Sequence, residues 1–172
     1  TFINATGISG DDGYVKALSG GSSPATVTYG NLAIGRGTDS KFNRAILSFD
    51  TSAIPDNATI TKAYVTVTYA SGSGSPWASS NSLVIDVKNG TFGAATMETS
   101  DWAAAATADA VASLASFTSG TKQSSDFSAS GLSAINKTGK TQLKLRFLNN
   151  QTSTAYIFIK EGASATLHVE YQ

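Results

Sequence analysis

Asp11 and Asp12 stand side by side in the turn Ser9-Gly10-Asp11-Asp12-Gly13, just ahead of an apolar alternation that begins at Tyr14. Carboxylates in such a turn lie close to exposed carbonyls, and calcium takes about six to eight oxygens of these kinds. The pair is therefore the candidate site for a structural Ca2+, although adjacent aspartates also serve as plain turn formers. Glu98 and Asp101 form a second carboxylate pair, of the sort that flanks a scissile bond in glycosidases. Their place at the start of an Ala-rich run suits helix capping better. His168, the single histidine, sits between Leu167 and Val169. On a strand it therefore faces away from the core, where a nucleophilic triad has no cleft. Gly35-Arg36-Gly37 and the Gly72/Gly74 run lack the strand–loop–helix context that cradles phosphate. No catalytic residue is assigned, and the chain is expected not to be an enzyme.

Binding chemistry has better candidates. An aromatic ring packs on the C–H face of a sugar while neighbouring amides and hydroxyls take its hydroxyl groups. Trp77, in the polar stretch Ser71–Ser82 with Asn81 nearby, is the first such candidate and Trp102 the second. Each also has a plainer role available: Trp77 can cover a sheet edge, and Trp102 can anchor a helix to the core. Lys62, Lys88 and Lys144 fall on expected strands, where a lysine beside an Asn or Asp could form an internal isopeptide bond; the sequence pairs none of them.

Five of the nine asparagines stand in Asn-x-Ser/Thr: Asn4, Asn57, Asn89, Asn136 and Asn150. They fall near expected turns, where a glycan fits, so all five are candidate glycosylation sites. A Thr-rich chain also generates such triplets by chance.

Composition narrows the classes further. Charged residues make up 14% of the 172, and twelve basic residues balance twelve acidic ones. That is well under the share usual in soluble domains, and it leaves no electrostatic footprint for nucleic acid or anionic lipid. There is no cysteine, which excludes disulfides, thiolate nucleophiles and zinc–sulfur sites. Ala, Ser, Thr and Gly supply 86 residues, a composition suited to closely packed extended chains at a secreted surface. No stretch approaches the roughly 18 apolar residues of a membrane span. The start Thr1-Phe2-Ile3, without Met or a leader, reads as a processed chain.

The elements that must position these residues are strands. Val65, Val67 and Tyr69 alternate with Tyr64, Thr66 and Thr68; Leu83, Ile85 and Val87 alternate with Val84, Asp86 and Lys88; Leu143, Leu145 and Phe147 alternate with Lys144 and Arg146. This period of two marks half-buried strands. Ala45–Phe49, Tyr156–Lys160 and Leu167–Tyr171 add three more, with Tyr14–Leu18, Thr26–Tyr29 and Leu32–Ile34 near the start. Asp50 to Asn57, punctuated by Pro55, is a turn. The Ala-rich run from Ser100 to Phe117 predicts one helix, capped by Ser100 and Asp101. The expected fold is all-β, an antiparallel β-sandwich or jelly roll with one short helix, in a single domain over residues 1–172.

Several motifs carry a resemblance. Residues 43–55, Asn-Arg-Ala-Ile-Leu-Ser-Phe-Asp-Thr-Ser-Ala-Ile-Pro, followed by Ala58-Thr59-Ile60-Thr61-Lys62-Ala63, resemble the central signature of the DNRLRE-type modules. These are secreted jelly-roll domains of bacteria and archaea, related to disaggregatase-associated and carbohydrate-binding modules. Asp12-Gly13-Tyr14-Val15 is similar to their opening strand, and residues 131–139 and 165–171 to their closing half. The resemblance implies an extracellular β-sandwich, attached to surface proteins or polysaccharide-active enzymes, that often holds a structural ion near its ends.

Two functions follow as expectations. The first is a structural subunit, at the cell surface or beyond it, that assembles with copies of itself into a filament, tube or coat. Phe2, Ile3 and Ile8 give residues 1–8 the character of a strand added to a sheet edge, its own or a neighbour's. The low charge opposes no packing of copies. The alternative is a module that holds an extracellular polysaccharide through Trp77, Asn81 and Trp102.

Overall fold

Alternation of apolar and polar residues is carried through into twelve strands, and the computed structural model describes all 172 residues. The strands are β1 (Phe2–Thr6), β2 (Gly13–Ala17), β3 (Ala25–Val27), β4 (Leu32–Arg36), β5 (Phe42–Asp50), β6 (Ile60–Ser73), β7 (Leu83–Asn89), β8 (Ala108–Leu114), β9 (Thr121–Gln123), β10 (Lys140–Phe147), β11 (Ala155–Ile159) and β12 (Thr166–Tyr171). Their order is β1-β12-β6-β11-β4-β5-β10-β7-β8, with β2 on β5, β3 on β2 and β9 on β6. Each of these pairings is antiparallel. The sheet curls into a half-barrel, a jelly-roll-like all-β fold whose inner face is one continuous core.

β6 joins the two halves because it is long enough to serve both. Over its 14 residues, the stretch from Ile60 to Thr66 pairs with β12 and the stretch from Tyr69 to Ser73 with β11. Val65 and Val67 turn inward to meet Leu47, Phe49, Ile85, Leu143, Leu145 and Leu167, all shut away from solvent. Each such side chain contributes about 1.5–3 kcal/mol by burial. β5 stops where its sequence says it must: the Asp50 carboxylate accepts the Ser52 N–H at 3.0 Å, and Ile54 is tucked under the turn.

The Ala-rich run differs from the expected helix. Residues Thr99–Trp102 make a single 3-10 turn, and Ala108–Leu114 is β8, paired with β7. Alanine's helix preference is a weak local bias, and pairing with the edge of β7 overrides it. Ala110 takes a left-handed φ of 48° where the register slips between Ile85 and Val87. Asp86 holds that irregularity, its Oδ1 accepting the Ala110 N–H at 2.8 Å.

The one α-helix, α1, spans Ala129–Ala134, with Ser128 Oγ accepting the Gly131 N–H at 3.4 Å. A Cβ at Gly131 would lie 2.7 Å from Val111 Cβ, so glycine lets α1 pack against β8.

Residues 90–107 link β7 to β8 and lie as a strap over the outer face of β2, β5 and β10. Phe92 and Trp102 are buried beneath it, Trp102 against Val15 and Ala17.

Candidate functional site

β1 is the outermost strand and bonds to β12 alone, from Phe2↔Glu170 through Thr6↔Thr166. The Thr1 amino group donates to the Tyr171 carbonyl at 3.0 Å, and the Tyr171 N–H returns a bond to Thr1 O at 2.8 Å. Strand alternation points Ile3 and Ala5 inward, yet Ala5 is the only buried side chain of β1; Ile3 and Ile8 are half-buried and Phe2 is 60% exposed. Main-chain bonds therefore hold this strand more than side-chain burial does. Beyond Thr6 the chain crosses to the other half, Gly7 N–H donating to Ala165 O and Ile8 N–H to Ser48 O. A Cβ at Gly7 would lie 2.1 Å from the Gly162 carbonyl oxygen, so the crossing requires glycine. The structure thus seats residues 1–8 on the edge of their own chain's sheet.

On the outer face beside β1, His168 stacks on Tyr64 with 4.6 Å between ring centres and lies 5.2 Å from Phe2. Its Nδ1 meets Asn4 Oδ1 at 2.7 Å and its Nε2 meets Glu170 Oε1 at 3.3 Å. These bonds fix it as part of a surface ring stack.

Two grooves meet at Tyr156. One, of about 190 Å3, is walled by Tyr14, Tyr156 and Phe158, with Lys16 and Asp39 as its polar rim; the buried Asn43, whose Nδ2 donates to Gly35 O at 2.8 Å, also lines it. Tyr156 and Phe158 meet edge to face at 5.5 Å, and Tyr14 meets Phe158 in the same way at 6.3 Å. Lys16 Nζ pairs with Asp39 Oδ2 at 2.9 Å, a bond that raises the lysine's pKa. Burial pushes the Tyr14 pKa up. The other groove, of about 310 Å3, is walled by Tyr69, Trp77, Phe117 and Tyr156. Sequence reading missed the first groove; its signal was that Tyr14 and Lys16 on β2, and Tyr156 and Phe158 on β11, are half-buried aromatic or polar positions alternating with buried apolar ones.

Trp77 is half-buried: it meets Phe117 and Phe147 edge to face, and its Nε1–H donates to Leu114 O at 3.1 Å. It forms a groove wall and not a free platform. Asn81 lines a neighbouring polar groove, but its amide is engaged with Asn149: Nδ2 donates to Asn149 O at 2.8 Å and Oδ1 accepts Asn149 N–H at 2.9 Å. Trp102 corrects the expectation of a sugar platform, because it is 7% exposed and covered by Arg44.

Under the strap lies a charged layer. Arg146 grips Asp86 with two bonds, 2.7 and 3.0 Å. Lys144 Nζ donates to Ala104 O at 2.9 Å and stands 4.2 Å over the Phe92 ring. Burial, with Arg44 nearby, lowers its pKa to about 8. Asp101 is buried, and that pushes its carboxyl up although Oδ2 accepts the Glu98 N–H at 2.8 Å. Glu98 and Asp101 cap a turn and flank no cleft. Lys88 Nζ bonds to Ala105 O, and Lys62 faces Asp126 and Glu170 at the exposed surface and not in an apolar core, where an isopeptide bond would form.

Asp11 and Asp12 turn to different partners. The Lys140 ammonium pairs with Asp11 Oδ2, while Asp12 is buried and accepts the Gly162 N–H. Where calcium needs converging oxygens, these carboxylates meet an ammonium and an amide. No three His, Cys, Asp or Glu side chains gather to hold a metal. Of the five candidate glycan acceptors, Asn4, Asn57, Asn89 and Asn150 are exposed; Asn136 is half-buried and its Nδ2 donates to Lys140 O at 3.1 Å.

No family model matches the chain, and no curated protein matches it. Among solved structures it is similar to Xylanase10C from Cellvibrio japonicus, a mutant in complex with xylopentaose, at 16% identity and a TM-score of 0.49. The match covers 96% of this chain and 29% of that one.

Proposed function

We propose that this chain is a non-enzymatic extracellular building block that assembles with copies of itself into a filament, tube or coat by exchange of β1. The observation that carries this reading is that β1 bonds to β12 alone and buries only Ala5. The same antiparallel ladder, in the same register, forms equally well when the strand comes from a neighbour, since edge N–H and C=O groups accept any strand. The zero net charge leaves no repulsion between copies, and the DNRLRE-like motif over residues 43–63 supports a place outside the cell. Deleting residues 1–8 tests this, with particle size read by gel filtration and electron microscopy. The full chain should assemble, and the truncated chain should remain a folded monomer that binds a synthetic Thr1–Ile8 peptide. A full chain that stays monomeric at every concentration, or a truncated one that cannot fold, overturns it.

A second reading is favoured by the two grooves that share Tyr156: a module holding a neutral polysaccharide. Ring faces beside a Lys–Asp pair supply what a sugar ring needs. Retardation in gels cast with a polysaccharide, lost on Tyr156→Ala, is its expected result.

A further inference from the structure

Phe2, Asn4 and Thr6 alternate along β1, so ring, amide and hydroxyl share its outer face, and all three are exposed. Successive members stand about 7 Å apart, two rises of a strand. His168 Nδ1 holds Asn4 Oδ1 at 2.7 Å, and the amide nitrogen of Asn4 makes no hydrogen bond. Phe2 itself is 60% exposed, and His168 stacks on Tyr64 behind it. No other Asn-x-Thr site has this surrounding. Asn136 spends its nitrogen on Lys140 O, and Asn150 Nδ2 reaches Ser19 Oγ at 3.4 Å. Two residues before Asn57 stands Pro55, and two before Asn89 stands the buried Val87.

We propose that Asn4 is the chain's preferred N-glycan acceptor and that the first sugar ring lies on Phe2. A lipid-linked oligosaccharide supplies the glycan through an oligosaccharyltransferase. The sugar's anomeric carbon bonds to Asn4 Nδ2 as its bond to the carrier phosphate breaks; the electron pair leaves with the phosphate, and the amide gives up one proton. The C–H face of the attached ring then covers the exposed phenyl ring, the contact through which aromatic residues hold sugars. Thr6, at the required second position after Asn4, faces the same way.

The test is secretion of the full chain from a host that N-glycosylates, with site occupancy read by mass spectrometry. Trypsin releases Thr1–Lys16 as a peptide with Asn4 as its single acceptor. Occupancy should be higher there than at the other four sites, and the glycan should raise Tm by about 2–4 °C over the enzymatically deglycosylated chain. Phe2→Ala should abolish that rise and lower occupancy, while Phe2→Tyr should keep both. Because Phe2 lies mostly in solvent, these variants should fold. An unmodified Asn4 in the secreted chain overturns the proposal, as does a Tm rise that survives Phe2→Ala.

Discussion

The Arg44 guanidinium sits 3.9 Å from the centre of the Trp102 ring and also donates to the Trp102 carbonyl oxygen at 2.6 Å. One side chain of β5 thus pins both the ring and the backbone of the strap. Trp102→Ala should cost about 3–5 kcal/mol, as large aromatic truncations do, and hydrogen exchange should quicken across residues 90–107. Arg44→Lys keeps the charge but not the planar stack, and should cost about 1 kcal/mol in urea denaturation.

Lys144 predicts a rise in stability at alkaline pH. Its pKa falls from 10.5 to about 8 in the fold, chiefly through burial. The neutral form is thus favoured when folded: its contribution is complete above the ordinary lysine value and is lost as pH falls through the folded one. Between about pH 8 and 10.5 the chain should gain up to roughly 3 kcal/mol. Lys144→Met should flatten this slope in urea titrations across that range, and an unchanged slope would refute the assignment.

Asp12 has the opposite sign. Burial pushes its carboxyl above 3.8 in spite of the Gly162 N–H. A raised acid contributes fully below its ordinary value, and the contribution is lost as pH rises through the folded value. Asp12→Asn keeps an oxygen for the Gly162 N–H without the buried charge. It should match the parent near pH 3 and melt higher at pH 7.

Chelation should leave Tm unchanged. A resident calcium at a hundred times its Kd would add about 2.7 kcal/mol, several degrees in a chain of this size. Dialysis against EDTA, followed by calorimetry, separates the two outcomes.

Much of the fold was legible because half-buried strands announce themselves by alternation. β6, β7, β10 and β12 stand where Val65/Val67, Leu83/Ile85, Leu143/Leu145 and Leu167/Val169 placed them. The helix was misplaced for a physical reason. Ala-rich Ser100–Phe117 has high local propensity, but its tertiary partner β7 decided its state. α1 was hidden behind Gly131, a poor helix former kept for its closeness to Val111. The site was legible only in part. Tryptophan drew attention as the largest ring, and large rings are the ones a core covers. The half-buried Tyr14 and Tyr156 belonged to strands already explained by their buried neighbours, and their convergence depends on how β2 and β11 curl together, which no single strand's pattern records.

The reciprocal bonds between Thr1 and Tyr171 have a mechanical meaning. Tension applied through residues 1 and 172 meets the β1–β12 ladder at its tip and opens it one rung at a time, so a lone copy yields to a weak pull. On the proposed exchange, the same strand lodged in a neighbour and drawn from its Ile8 end would be loaded along its length. All five pairs would then resist together, and copies joined in this way would bear more force than one copy pulled through residues 1 and 172.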